Sequence, residues 1–164
     1  MKKIIVLLAV VGLLTLQGCT TSGSFEIAPV TTSEVFEVNA SFTSSNNYSK
    51  TVTFNPTIYS TDTVLVYRLT STQGADVWKL LPETHYFADG TLNFGYDFDY
   101  TNYDVKIYLM GSDLQTVADQ YRFNQVLRIV IVPASFATSI DKNNFEAVMA
   151  TLKMNETQIQ KINL

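Results

Sequence analysis

The sequence predicts a mainly β fold: an antiparallel β-sandwich of about seven to eight strands with a short C-terminal two-helix cap. Three observations predict it. Apolar residues recur at every second position in run after run between Phe36 and Val132, turn-forming residues separate the runs, and the period lengthens to a helical one only after Pro133. A single twisted antiparallel sheet backed by the two helices is the alternative arrangement of the same elements.

Taken in order, Phe36, Val38, Ala40 and Phe42 share one face of the first strand while Glu37, Asn39 and Ser41 share the other. The same alternation marks Tyr48 to Phe54, with Val52 and Phe54 inward, and Thr63 to Thr70, with Leu65, Tyr67 and Leu69 opposite Val64, Val66 and Arg68. Ser45-Asn46-Asn47, Asn55-Pro56 and Thr72-Gln73-Gly74 are the intervening turns. Val77 to Leu81 and Thr84 to Phe87 are short segments on either side of Pro82, and Asp89-Gly90 is a hairpin turn. Leu92, Phe94, Tyr96 and Phe98 then alternate with Asn93, Gly95, Asp97 and Asp99, and Val105, Ile107 and Leu109 continue on the next strand. Val126 to Val132 is apolar and β-branched almost throughout, interrupted by Arg128, as expected of a central strand covered on both faces.

Beyond Pro133, Phe145, Val148, Met149 and Leu152 stand at helical spacing behind an Asn143/Glu146 capping-box pattern. Asn155 with Gln158 announces a second helix to Asn163, with Ile159 and Ile162 on one side. Both are too short to be stable without the sheet.

The amino end carries a different message. Lys2 and Lys3 precede an apolar run from Ile4 to Leu16, shorter than the roughly 20 residues of a membrane-spanning helix and ordered like a secretory signal. Leu16-Gln17-Gly18-Cys19 resembles the lipobox of bacterial lipoproteins, which implies cleavage after Gly18 and acylation of Cys19. Residues 1–18 are therefore expected to be a signal peptide, 19–32 a Ser-, Thr- and Gly-rich tether, and 33–164 the folded domain. Cys19 is the only cysteine, so an intramolecular disulfide, a Cys-ligated zinc site and a thiol nucleophile within the domain are excluded. Lys2 and Lys3 are two of the 11 cations, leaving nine against 15 acidic residues in the mature chain, a net charge of about −6 that does not attract nucleic acid.

Val64-Leu65-Val66-Tyr67-Arg68-Leu69, Asp76-Val77-Trp78, Val126 to Pro133 and the closing Ile159 to Leu164 resemble a group of small lipoproteins of the Bacteroidota that have no assigned chemistry. Some members of that group carry collagen-like repeats after the lipidated cysteine, and this chain does not. The resemblance implies a source and an envelope address. It implies no activity.

Candidate sites are few. His85 is the only histidine, so a two-histidine metal site is impossible, and the residue reads as a half-exposed position on an edge strand. Asp97, Asp99, Asn102 and Asp104 gather oxygen ligands around one loop, a candidate calcium site without the glycine of an EF-hand. Asn and Asp there equally suit turn capping. Asp97, Asp99, Asp104 and Glu83 could supply a glycosidase pair. Tyr100 and Tyr103, in the same loop, offer flat rings to a sugar, with Tyr86, Tyr96, Tyr108 and Trp78 expected around the same region, although core packing on the inward face explains Tyr96 equally well. Asp62-Thr63-Val64 resembles the pattern at which some Bacteroidota attach O-glycans to Thr63.

The expectation is a lipid-anchored, non-enzymatic interaction or structural domain that uses no cofactor and binds no nucleic acid. It meets the bilayer through acylated Cys19 and a protein or glycan partner through its surface. A calcium- or carbohydrate-binding module centred on residues 97–104 is the rival, and a hydrolase is third. Thr20 stands where an inner-membrane retention signal places Asp, which points to the outer membrane. Thr20 to Ser24 lacks the acidic cluster of a surface-export signal, which points to the periplasmic face over the cell surface.

Overall fold

The computed structural model describes residues 33–72, 74–137 and 140–162. The strands are β1 (Glu34–Ala40), β2 (Ser49–Thr53), β3 (Thr63–Thr72), β4 (Ala75–Leu80), β5 (Glu83–Tyr86), β6 (Leu92–Tyr100), β7 (Asp104–Gly111), β8 (Gln125–Val132) and β9 (Gln160–Ile162). Among the described residues three short α-helices accompany them: α1 (Asp119–Arg122), α2 (Ala134–Ala137) and α3 (Phe145–Thr151). One sheet runs β4-β3-β8-β1-β9 and the other β2-β7-β6-β5, so the sandwich, rather than the single sheet, is the arrangement found. Pairing is antiparallel except between β1 and β9.

The two sheets differ in how many faces they bury. Val38, Val66, Leu127 and Ile129 of the first sheet meet Val52, Phe94, Tyr96 and Ile107 of the second in one apolar layer. Fully burying each such side chain is worth about 1.5–3 kcal/mol. The opposite face of the first sheet, through Val35, Leu65, Tyr67, Val130 and Val132, is covered by Phe145, Val148 and Met149 of α3. Burial on both faces accounts for the near-continuous apolar run of β8. Burial on one face accounts for the clean alternation of β6.

At the β5–β6 turn Gly90 takes φ +85°, and Asp89 Oδ1 accepts from the Thr91 amide at 2.9 Å. Gly95, in mid-strand, has another role: a Cβ there would stand 2.9 Å from the Glu83 carbonyl oxygen, so glycine lets β5 lie close.

The helical cap needs two corrections. The N-cap of α3 is Asn144, whose side chain accepts from the Ala147 amide at 3.0 Å, while Asn143 lies one residue earlier in the turn, its backbone amide donating to Asp141 Oδ1 at 3.1 Å. The second helix does not form. Asn155 and Gln158 do cap each other, but they close only a 3-10 turn (Glu156–Gln158) that runs into β9. Ile159 is buried in the layer under α3, whereas Ile162 packs against the layer between the sheets. A helix would put both on one side. Residues 159–162 instead serve both layers, and β9 pairs backbone groups on the edge of β1 away from β8.

Candidate functional site

The lipidation residue Cys19, the signal and the tether lie outside the described residues. Thr63 opens β3 half-buried, paired with Val132.

Asp97 and Asp99 share the outer face of β6, as their spacing predicts, Asp97 opposite Tyr108 and Asp99 opposite Lys106. Loss of hydration, followed by these two carboxylates, holds the Tyr108 hydroxyl above its usual pKa. Asp97 Oδ1 accepts from the Phe98 amide at 2.8 Å. Asp104 Oδ1 accepts from the Thr101 hydroxyl at 2.7 Å, and that hydroxyl accepts from the Tyr103 amide at 3.0 Å, so the loop is stitched by turn bonds. The carbonyls of Asn102 and Tyr103 receive the amides of Ile58 and Phe54, anchoring the long connection to β3. Tyr100 stacks on Phe98 with centroids 6.4 Å apart, and Tyr103 is exposed. Among the described residues no group of three His, Cys, Asp or Glu side chains is placed to hold a metal.

The expected aromatic surround is dispersed. Tyr96 is in the core, Trp78 is on the other sheet, and Tyr86 pairs with Leu92 at the far end of β6. Glu83 cannot join the aspartates, because it points between the sheets while Asp97 and Asp99 point away.

The structure instead collects chemistry at the β3–β5 side. Val64, Val66 and Arg68 occupy successive inward positions of β3, so the third carries a guanidinium into the gap between the sheets, with a side chain only 6% exposed. A buried cation demands a partner. β4 ends one sheet and β5 begins the other, joined through buried Leu81, and this crossover delivers Glu83 to it. Arg68 Nε and Nη2 donate to the two Glu83 oxygens at 2.9 and 2.8 Å, a bidentate pair, and Nη1 donates to Gln125 Oε1 at 3.1 Å. The guanidinium lies 4.7 Å from the Tyr96 ring centroid.

Gln125 is itself fixed, its Nε2 donating to the carbonyls of Gln120 and Phe123 at 2.9 and 2.7 Å. The Tyr96 hydroxyl donates to the Tyr121 carbonyl. The segment carrying α1 is thereby latched over the gap. Lys79 Nζ reaches Glu83 Oε1 at 3.3 Å from the rim. His85 Nε2 lies 2.8 Å from the same oxygen without the alignment of a hydrogen bond, and the ring stacks on Phe94 at 4.3 Å.

Burial pushes the Glu83 carboxyl up, but the hydrogen bonds and charge of Arg68, with the charges of Lys79 and His85, outweigh it and leave the group below its ordinary value. For His85 burial dominates. It lowers the imidazole against the opposing pull of Glu83. Around these groups opens a cleft of about 690 Å³ whose walls include Lys79, His85, Tyr121, Phe123 and Asn124.

A second hollow, between α3 and β4, is built on Arg128. Its guanidinium sits 3.9 Å from the Trp78 ring and 5.2 Å from Phe145, and it is bidentate to Glu156 at 2.8 and 2.6 Å. Nε donates to Glu37 at 3.1 Å. These contacts tie β1, β4, β8, α3 and the 3-10 turn together, which is a fastening role.

The Arg68, Glu83 and Gln125 cluster was not singled out from the sequence. A usable signal existed, since a charge at the inward register of an otherwise apolar strand must find a buried counter-charge. Among the described residues no helix is long and apolar enough to cross a membrane. No family model matches the chain, and comparison with curated proteins and with solved structures found no match either.

Proposed function

We propose that the protein is a lipid-anchored, non-enzymatic binding domain of the bacterial cell envelope, held at the outer membrane on its periplasmic side and presenting the β3–β5 cleft to a ligand. The observation that carries the binding reading is the state of the cleft carboxylate. Glu83 is spent on Arg68 and Lys79 and held ionised, so the cleft offers a ligand hydrogen-bond donors and positive charge rather than an acid–base pair. The address is supported by Lys2-Lys3, the apolar run to Leu16, the lipobox-like Leu16-Gln17-Gly18-Cys19 and Thr20.

Detergent-phase partitioning tests the anchor. The wild-type chain enters the detergent phase and begins at Cys19, whereas Cys19→Ala stays aqueous and keeps its leader. A wild-type chain found in the aqueous phase with Met1 intact refutes the anchor. A photo-crosslinker placed at Asn124 tests the cleft, since a binding domain yields an envelope adduct there and an inert one does not.

A further inference from the structure

We propose that the β3–β5 cleft binds a carboxylate-bearing saccharide, its carboxylate held by Arg68 and Lys79 and a sugar ring laid against Phe123. The inference rests on the cleft being a binding site and names what it takes.

Donor accounting points to an acceptor-rich ligand. A guanidinium has five N–H groups and an ammonium three. Arg68 places two on Glu83 and one on Gln125, and Lys79 places one on Glu83, so both cations that line the cleft have donors to spare. The acceptors beside them are taken. Glu83 Oε2 receives Arg68 Nε, Glu83 Oε1 receives Arg68 Nη2 and Lys79 Nζ, and Gln125 Oε1 receives Arg68 Nη1 and, at 3.4 Å, the Tyr96 hydroxyl.

Charge agrees. Arg68 and Lys79 against Glu83 leave one net positive charge in the cleft of a chain whose formal net charge is −4. A carboxylate is the planar, two-oxygen anion that guanidinium donors fit. Nothing has to be rebuilt to receive it, because Arg68 is already oriented by Glu83, Gln125 and the Tyr96 ring.

The rest of the cleft fits hydroxyls and a ring. At about 690 Å³ it is far larger than a carboxylate needs and falls in the usual range of small-molecule sites. Hydroxyl and amide side chains of Thr70, Ser71, Gln120 and Asn124 line it, the groups that exchange hydrogen bonds with sugar hydroxyls. Phe123 stands at the wall, 37% exposed, with the Arg122 guanidinium 5.1 Å from its ring centroid. An exposed ring braced by a cation beside polar donors is a stacking platform for the C–H face of a sugar.

The test is calorimetric titration of the full chain in detergent micelles with trigalacturonate, with maltotriose and a Glu-Glu-Glu tripeptide as neutral and peptidic counterparts. Trigalacturonate is expected to bind saturably, to weaken as salt rises to about 0.5 M, and to lose roughly tenfold in affinity, about 1.4 kcal/mol, with Lys79→Gln or Phe123→Ala. Both side chains are substantially exposed, so these variants fold, which circular dichroism checks; Lys106→Gln, on the outer face of the second sheet, leaves binding unchanged. Absence of saturable binding by about 10 mM, indifference to Lys79→Gln, equal binding of maltotriose, or equal binding of the tripeptide would each overturn the proposal. An adduct at Asn124 without uronate binding sinks the ligand assignment and leaves the binding reading standing.

Discussion

Replacing Glu83 by Gln keeps the shape of the side chain and removes its charge, leaving the Arg68 guanidinium buried against an amide. With the two side chains 1% and 6% exposed, Arg68 loses its only close carboxylate among the described residues. Breaking a buried pair in this way costs about 3–5 kcal/mol, a large share of the roughly 5–15 kcal/mol that holds a domain together. Arg68→Met alone incurs a similar loss, because Glu83 then keeps only Lys79 at the rim and His85 beside it. The double variant Arg68→Met/Glu83→Leu is different: replacing a whole buried ion pair by apolar side chains is often neutral or stabilising. It is therefore expected to be no less stable than either single variant, although single losses at independent sites would add. Urea unfolding reads all three, with fluorescence of the single tryptophan, Trp78, and circular dichroism as independent probes. A Glu83→Gln loss below about 1 kcal/mol, or a double variant as unstable as the sum of the singles, would refute the assignment of a tightly coupled buried pair.

Acidification should destabilise the domain in two stages. His85 and Glu83 both have folded pKa values below their ordinary 6.5 and 4.5, so in each case the unfolded chain binds more protons and stability is lost as the pH is lowered. The His85 contribution is complete above pH 6.5 and declines below it, and the Glu83 contribution declines below pH 4.5; His85→Gln should abolish the first decline in a melting-temperature profile and spare the second. Gly95→Ala should cost about 1–3 kcal/mol by driving its Cβ into the Glu83 carbonyl, and a melting temperature equal to wild type would contradict the close approach of β5. Ile159→Ala should cost about 2–5 kcal/mol as a cavity in the layer beneath α3, measured by denaturant unfolding; a loss under about 1 kcal/mol would mean that Ile159 does not fill that layer.

The strands were legible because their cause is local. Phe94, Tyr96 and Phe98 alternate with Asn93, Gly95 and Asp97 whatever the rest of the chain does, and period two follows from a sheet wet on one side. The tail was misread because its cause is not local. Asn155 and Gln158 cap a turn, but whether the chain continues as helix depends on β1 having an unpaired edge and on two apolar layers each lacking one isoleucine. The cleft was hidden for the same reason. Glu83 and Gln125 are 15 and 57 residues removed from the arginine that unites them; the β4–β5 crossover delivers the first, and the pairing of β3 with β8 the second. The aspartates of residues 97–104 stood out in the sequence by density, yet Asp97 and Asp104 serve the backbone and turn of their own hairpin.

The pairing of β1 bears on how the domain comes into being. Among the described residues, its residues 34–40 pair with residues 125–131 on one side and, at 36–38, with 160–162 on the other. A chain that emerges amino end first, from a ribosome or a translocation channel, makes β1 earliest and its partners last. β6 and β7, joined by a three-residue loop, can close on their own in the meantime, while β1 waits for more than eighty residues. Loop closure on that scale must precede the contacts that reward it, which slows assembly. The joining of β1 to the first sheet therefore waits for β8 and β9, and Val35 lacks its cover until α3 follows. A chain in that condition needs shielding from other unpaired strands while it waits.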